Sequence, residues 1–226
     1  MMENNHFEGC SFKPEVPEGC DLAKGRILLH CCCAPCSTAI LEWMVAEGLK
    51  PGVFFSNSNI VPFEEYLKRR DELARFAASF GLDVIDDEYD HEAWLEYVRS
   101  RVKDLLSPVP ELADVPERGP RCLACFEFRL RRAAEYAVTH GYDILTTTLA
   151  SSRWKDLSQV NAAGYRAVGE TAGQLTWWPQ NWRKGGLQER RNFLIKSCAL
   201  YNQTWCGCEF SRIIRPRQSP QNERQH

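Results

Sequence analysis

The chain has 226 residues, 44% hydrophobic and 26% charged, an ordinary globular composition that suits one medium-sized α/β domain with a substantial core. Its formal net charge of −2 excludes a global positive field, so any nucleic-acid contact must come from a local patch. No apolar run approaches the ~20 residues that span a bilayer, and no basic stretch followed by an apolar one opens the sequence, so a cytoplasmic protein without membrane contact is expected.

Residues 1–24 carry Gly9, Pro14, Pro17 and Gly19 without periodicity and read as an extended N-terminal arm. RILLHC (26–31) is a short apolar strand, and Ser37 to Gly48 reads as a helix closed by its glycine. PGVFFSNSN is a second strand; 62–81 is a helix with Pro62 in its first turn and Gly81 at its end. LDVIDDEYD gives a third strand, 91–106 an amphipathic helix, and 107–120 a proline-rich loop. A helix over 122–141, a strand in YDILTTTLA and a largely helical 151–173 follow. QLTWWPQNW begins as a fifth strand, 187–201 is the last helix, and 212–226 reads as a flexible tail.

Strands alternating with helices predict βαβ units, hence a parallel sheet with helices on both faces, in a single domain over 25–211. Ligands of such sheets gather beyond the carboxyl ends of the strands. That rule puts CCCAPC, SNSNIVP and TTTLASS on one rim.

Eleven cysteines argue for metal binding or thiol chemistry in a chain expected to be cytoplasmic. They cluster as Cys31, Cys32, Cys33 and Cys36, then Cys122 and Cys125, then Cys206 and Cys208; Cys10, Cys20 and Cys198 stand apart and read as small hydrophobes or surface thiols. Cys122 and Cys125 form a CxxC at a helix start, where amide dipoles favour thiolates. Together with the Cys32–Cys33 pair they could complete four ligands for zinc or for an iron–sulfur cluster. Cys206 and Cys208, beside Trp205, could cycle between dithiol and disulfide, bind metal, or be plain structure. His30, at a strand end, could be a ligand, an acid or a satisfied core imidazole.

The ordered set LLHCCCAPCS, SNSNIVPFEEYLKRR, CLACFEFRL, LTTTLASS and NWRKGG with YNQTWCGCEFS resembles the QueH family of epoxyqueuosine reductases, over about residues 26–211. The resemblance implies an enzyme that acts on tRNA carrying epoxyqueuosine at the anticodon wobble position and reduces it to queuosine, the last step of that modification. It also implies a three-layer fold of the adenine-nucleotide α-hydrolase (HUP) type. Carried onto this sequence, the family's 4Fe–4S ligands fall on Cys32, Cys33, Cys122 and Cys125, and its redox-active CxC on Cys206 and Cys208. An additional iron or other metal ion beside the cluster is implied too, with Cys36 a candidate ligand; Cys31 is incidental. Asn202 departs from the family's pattern, where arginine is expected.

Converting an epoxide to an alkene consumes two electrons and two protons and releases water. No GxGxxG follows a strand, so nicotinamide or flavin chemistry has no fingerprint here; a cluster fed by an electron donor that the sequence does not identify fits the requirement. His30 and Cys36 are the candidates for catalytic groups. For RNA contact, Trp178, Trp182, Arg183 and Lys184 combine base-stacking rings with phosphate-gripping cations, the alternative being core packing under a loop. Two basic triplets, 68–70 and 129–132, are weaker candidates. The rival functions are a thiol–disulfide oxidoreductase, which leaves the adjacent cysteines unexplained, and a metal-stabilised nucleic-acid-binding module, which would hold zinc and no sulfide. A nucleotide-dependent tRNA thiolation enzyme would need a glycine-rich pyrophosphate loop where CCCAPCST stands.

Overall fold

The computed structural model describes residues 11–108 and 110–213. Five strands form one all-parallel sheet in the order β3–β2–β1–β4–β5: β1 (Ile27–His30), β2 (Gly52–Phe55), β3 (Val84–Asp86), β4 (Ile144–Thr147) and β5 (Thr176–Trp177). Every residue of β1 and β4 is buried, as expected of central strands covered on both faces. α1 (Ala34–Ala46) packs with α2 (Phe63–Ala78) and α6 (Leu187–Ser197); α4 (Pro120–Thr139) packs with α3 (His91–Leu105) and α5 (Leu157–Gly169). The result is the α/β three-layer architecture read from the sequence. Strand order reverses between β1 and β4, the crevice where such sheets bind ligands.

Several boundaries differ from the sequence reading, each for a local reason. α1 starts at Ala34, not Ser37, because Pro35 lies in the first turn, where a missing N–H costs nothing. Cys33 thereby becomes the N-cap and Cys36 a first-turn residue. The long helix expected over 151–173 is interrupted: Thr148–Ser151 forms a 3-10 turn, and Asp156 caps α5 by accepting from the backbone of Ser158 and Gln159. Residues 152–156 are left as a loop. A short α7 (Glu209–Ile213) includes Arg212, the residue expected to open a flexible tail. Residues 214–226 of that tail and residues 1–10 of the arm, Cys10 among them, lie outside the described residues.

The tryptophan-rich segment requires a correction. Trp178 and Trp182 are 0% and 1% exposed, so neither ring can stack on a base. They pack with Trp43, and Phe12 of the N-terminal segment lies against Trp43 and Trp182 at ring-centroid distances of 5.1 and 5.2 Å. Both indole N–H groups are satisfied inside: Trp178 donates to the carbonyl of Glu15 at 2.9 Å, and Trp182 to that of Thr147 at 3.1 Å. Gly185 adopts a left-handed φ of 62° where a Cβ would strike the backbone of Phe12.

Trp182→Ala should therefore lower unfolding free energy by about 3–5 kcal/mol, measured by denaturant titration. A loss below about 1 kcal/mol would contradict its place in the core.

Candidate active site

Strand β1 delivers the cysteines. The Cys31 amide donates to the carbonyl of Phe54 at 2.7 Å, extending the pairing with β2 by one residue. The Cys31 side chain turns into the core, where its thiol donates to the Leu29 carbonyl at 3.5 Å and burial pushes its pKa well up. Cys32 then meets the loop after β4: its amide donates to Thr148 Oγ1 at 3.1 Å, and that hydroxyl lies 3.5 Å from Cys32 Sγ. Cys33 closes the turn, with its carbonyl held by Ser37 Oγ at 2.8 Å.

Three sulfurs converge here. Those of Cys32, Cys33 and Cys36 all lie within 4.8 Å of one another, all buried. Gln203 Nε2 donates to Cys33 Sγ at 2.6 Å. Hydrogen bonds from Cys33 and Cys36 draw the Cys32 thiol well below its ordinary value despite burial, helped by the cations Lys155 and Arg129. Burial pushes Cys33 up, and the bond to Cys32 does the same for Cys36. Among the three, the shifts favour negative charge on Cys32.

A second thiol group lines the same cavity. Pro120 at the start of α4 puts Cys122 in its first turn and Cys125 one turn on, and the Arg118 amide donates to Cys122 Sγ at 3.2 Å. Burial raises Cys122 to about 12 and pushes Cys125 up as well. Cys206 and Cys208 reach the cavity through Arg69, a buried guanidinium that pairs with Glu65 at 2.6 Å and donates to the carbonyl of Cys206 at 2.9 Å. Gly207 between them has φ 116°, and a Cβ there would press on Ile60 and Arg69. Both cysteines carry free thiols. The hydrogen bond from Cys208 lowers Cys206 to about 5, against burial and with help from Lys155, Arg129 and Arg69, while the same bond pushes Cys208 up.

The cavity measures about 640 Å³, within the range that engulfs a small organic molecule. Lys155 answers electrically to both thiol groups. Burial works against its charge, yet the negative charge of Cys32, Cys36, Cys206 and Cys33 holds its pKa above the ordinary value. Arg129 is buried, donates to the Ser56 carbonyl at 3.1 Å and also bonds Asn57 Oδ1.

His30 is corrected to a structural role. Its Nε2 donates to the Ser56 carbonyl at 3.0 Å, which fixes the tautomer, and its Nδ1 bonds Thr147 Oγ1 at 2.7 Å. Burial, then Arg129, lowers its pKa to about 3, so the ring stays neutral, and it does not line the cavity. The basic triplets are likewise engaged: Arg69 and Arg129 are buried, Arg70 pairs with Asp86 at 2.5 Å, and Arg132 with Asp87 at 2.6 Å. Arg183 donates to the carbonyls of Ala150 and Lys155, while Lys184 is exposed outside the cavity lining. Arg153, Trp154 and Lys155, which sequence reasoning passed over, belong to the cavity. The available signal is a tryptophan flanked by cations just past the fourth strand.

A family model described as epoxyqueuosine reductase QueH matches residues 27–213. Curated relatives with the name epoxyqueuosine reductase QueH include one from Haemophilus influenzae, 40% identical over 88% of this chain and 75% of the relative. One from Acinetobacter baylyi is 36% identical over 88% and 84%, and one from Thermotoga maritima 34% identical over 84% and 92%.

In the metal-free protein Cys206, already a thiolate at neutral pH, should be the first thiol alkylated by iodoacetamide, at a rate that falls only as pH drops through about 5. Cys122, with its thiol near 12, should stay unlabelled at neutral pH. Peptide mapping by mass spectrometry reads both; a Cys206 rate that declines from pH 9 downward, as an ordinary thiol's does, would show that the shared charge is absent.

Proposed function

The chain belongs to the epoxyqueuosine reductase QueH family, and we propose that it reduces epoxyqueuosine to queuosine in the thiol-lined cavity, on tRNA and with a 4Fe–4S cluster held by Cys32, Cys33, Cys122 and Cys125. The observation that carries the reading is the convergence of Cys32 and Cys36, two members of a buried three-sulfur turn at the start of α1, with the CxxC of α4 on a single cavity at the switch point of the sheet.

The donor set suits such a group. The triad offers only soft sulfur ligands, without carboxylate or imidazole, which selects thiophilic metals. Bare thiolates are costly at these buried positions, and a bound metal would take up the charge that burial otherwise forces back into S–H bonds. Lys155 and Arg129 stand ready to balance the negative charge of a thiolate-ligated cluster. Cys36 is the donor for an additional iron or other ion beside it.

A 4Fe–4S cluster supplies electrons singly at low potential. The protein's own groups do the rest. Reduction breaks both C–O bonds of the epoxide, forms a C=C bond and releases the oxygen as water, consuming two electrons and two protons. Closing the Cys206–Cys208 pair, one thiolate and one thiol, to a disulfide releases two electrons and one proton, so the pair meets the electron demand and solvent water supplies the second proton; an external electron donor then reopens it. Until then the proton resides on Cys208 Sγ, hydrogen-bonded to Cys206. Lys155 keeps its ammonium in the cavity, where it favours negative charge growing on the leaving oxygen. Among the described residues, no helix is long and apolar enough to cross a membrane.

Anaerobic purification with iron and sulfide analysis and EPR tests the reading. The native protein should be brown, with a cubane signal on reduction. Cys32→Ala or Cys125→Ala should abolish the signal and the turnover of epoxyqueuosine RNA, whereas Cys198→Ala should retain both. A protein that stays iron-free after anaerobic reconstitution overturns the cluster; retention of the signal in Cys125→Ala overturns the ligand set.

A further inference from the structure

Five of the seven tryptophans are core residues: Trp43, Trp94, Trp177, Trp178 and Trp182. Trp154 is 61% exposed although it belongs to the cavity lining, with the Arg153 guanidinium 4.8 Å over its ring. We propose that Trp154, paired with Arg153 at the mouth of the cavity, is the stacking platform for an unpaired base of an RNA strand, with Arg118 and Arg191 gripping the phosphates that flank it. This inference rests on the reading that the reacting nucleoside is carried on RNA.

The loop is held for such a task. The Lys155 amide donates to the Ser152 carbonyl at 3.1 Å, and the Lys155 carbonyl accepts from Arg183 at 2.9 Å. Asp156 is committed to capping α5. With its neighbours fastened, the loop sends consecutive side chains to different places. Lys155 answers to the thiols inside, and Trp154 lies exposed outside. An exposed indole in the lining of the cavity offers a flat face on which a partner can stack.

Charge identifies that partner as a polyanion. The cavity is lined by Arg118, Arg153, Lys155, Arg183 and Arg191 besides the buried Arg69, Arg121 and Arg129, and its acidic residues are Glu117 and Asp156 alone. This concentration of positive charge stands out in a chain of net charge −2. Arg118 reaches the mouth from the loop before α4, 4.0 Å from Asp156, and Arg191 from α6, its guanidinium fixed on the carbonyl of Pro35 at 2.8 Å. Cations around an exposed aromatic plane, above a cavity wide enough for one nucleoside, match single-stranded nucleic acid: bases stack on aromatic and guanidinium planes while phosphates take the charge. Chemistry on a base also requires that base to leave its stack, and the aromatic platform replaces the contact it gives up. An acidic electron-transfer protein would meet the same charge, but it has no use for an aromatic plane over a deep cavity.

The test measures binding of the full-length protein to a fluorescein-labelled anticodon stem-loop RNA by anisotropy, alongside steady-state reduction of the epoxyqueuosine form. Trp154→Ala should raise Kd and KM together by about five- to a hundred-fold, the range of one base–aromatic stack, with kcat retained. Trp154→Phe should recover most of the loss, and Arg191→Glu and Arg118→Glu should each reduce the slope of log Kd against log salt by about one or more. Trp154→Ala binding RNA within about two-fold of the native protein overturns the proposal. So does a variant that binds RNA normally and slows only when an acidic protein is the electron donor. If the native protein binds the RNA but never reduces it, the proposed activity fails, and the Kd values still decide the role of Trp154.

Discussion

The imidazole of His30 ties three strands together at the point where the site begins. One ring nitrogen donates to the carbonyl of Ser56, just past β2, and the other bonds the hydroxyl of Thr147, the last residue of β4. Both bonds form in a dry interior, where an unsatisfied nitrogen would be costly, so the ring specifies how far each strand runs and where each following loop starts. The cysteine turn, the Asn57 loop and the Thr148 turn all leave from this knot. Asn57 Nδ2 donates to the Cys31 carbonyl at 2.9 Å, and Thr148 Oγ1 accepts from the Cys32 amide, so each neighbouring loop holds one residue of the cysteine turn.

From that geometry follows a charge economy. Burial makes the sulfurs around the cavity reluctant to ionise, and the structure answers with grouping: S–H donors, Lys155 and Arg129 draw Cys32 in the triad and Cys206 in the CxC pair below the ordinary thiol value. Cations near buried thiols are expensive unless the thiols are anionic, and thiolates are expensive unless cations are near. Each set justifies the other. Around this interior the outer arginines are spent on ion pairs and carbonyls, which is why a chain with a small net negative charge still has a positive cavity.

The sheet was legible because its strands are continuous apolar runs, ILLH, GVFF and ILTT, bounded by turn residues, and parallel order follows from helices between them. The rim was legible for the same reason. Which sulfurs meet was not: spacing shows that Cys32, Cys33 and Cys36 are neighbours in the chain, but only the early start of α1 at Ala34 brings Cys36 into the triad. The ring orientation of Trp178 and Trp182 depends on Phe12 and Glu15, far away in sequence, so a tryptophan–arginine run that looks suited to RNA became core. Trp154 escaped attention because the residues around it read as helix, and the Asp156 cap that breaks this helix exerts its effect two residues downstream.

The chain order of the site has a consequence for its biosynthesis. The three-thiol turn is complete as soon as β1 and the first turn of α1 have been made, whereas the CxxC rides on α4, which arrives only after β2, α2, β3 and α3. A chain emerging from its N-terminus therefore carries three crowded sulfurs before the arginines and helices that shield them exist. During that interval they are open to oxidation and to capture of whichever thiophilic ion comes first. Maturation of this protein is thus a race between docking of its later helices and the misuse of its earliest thiols.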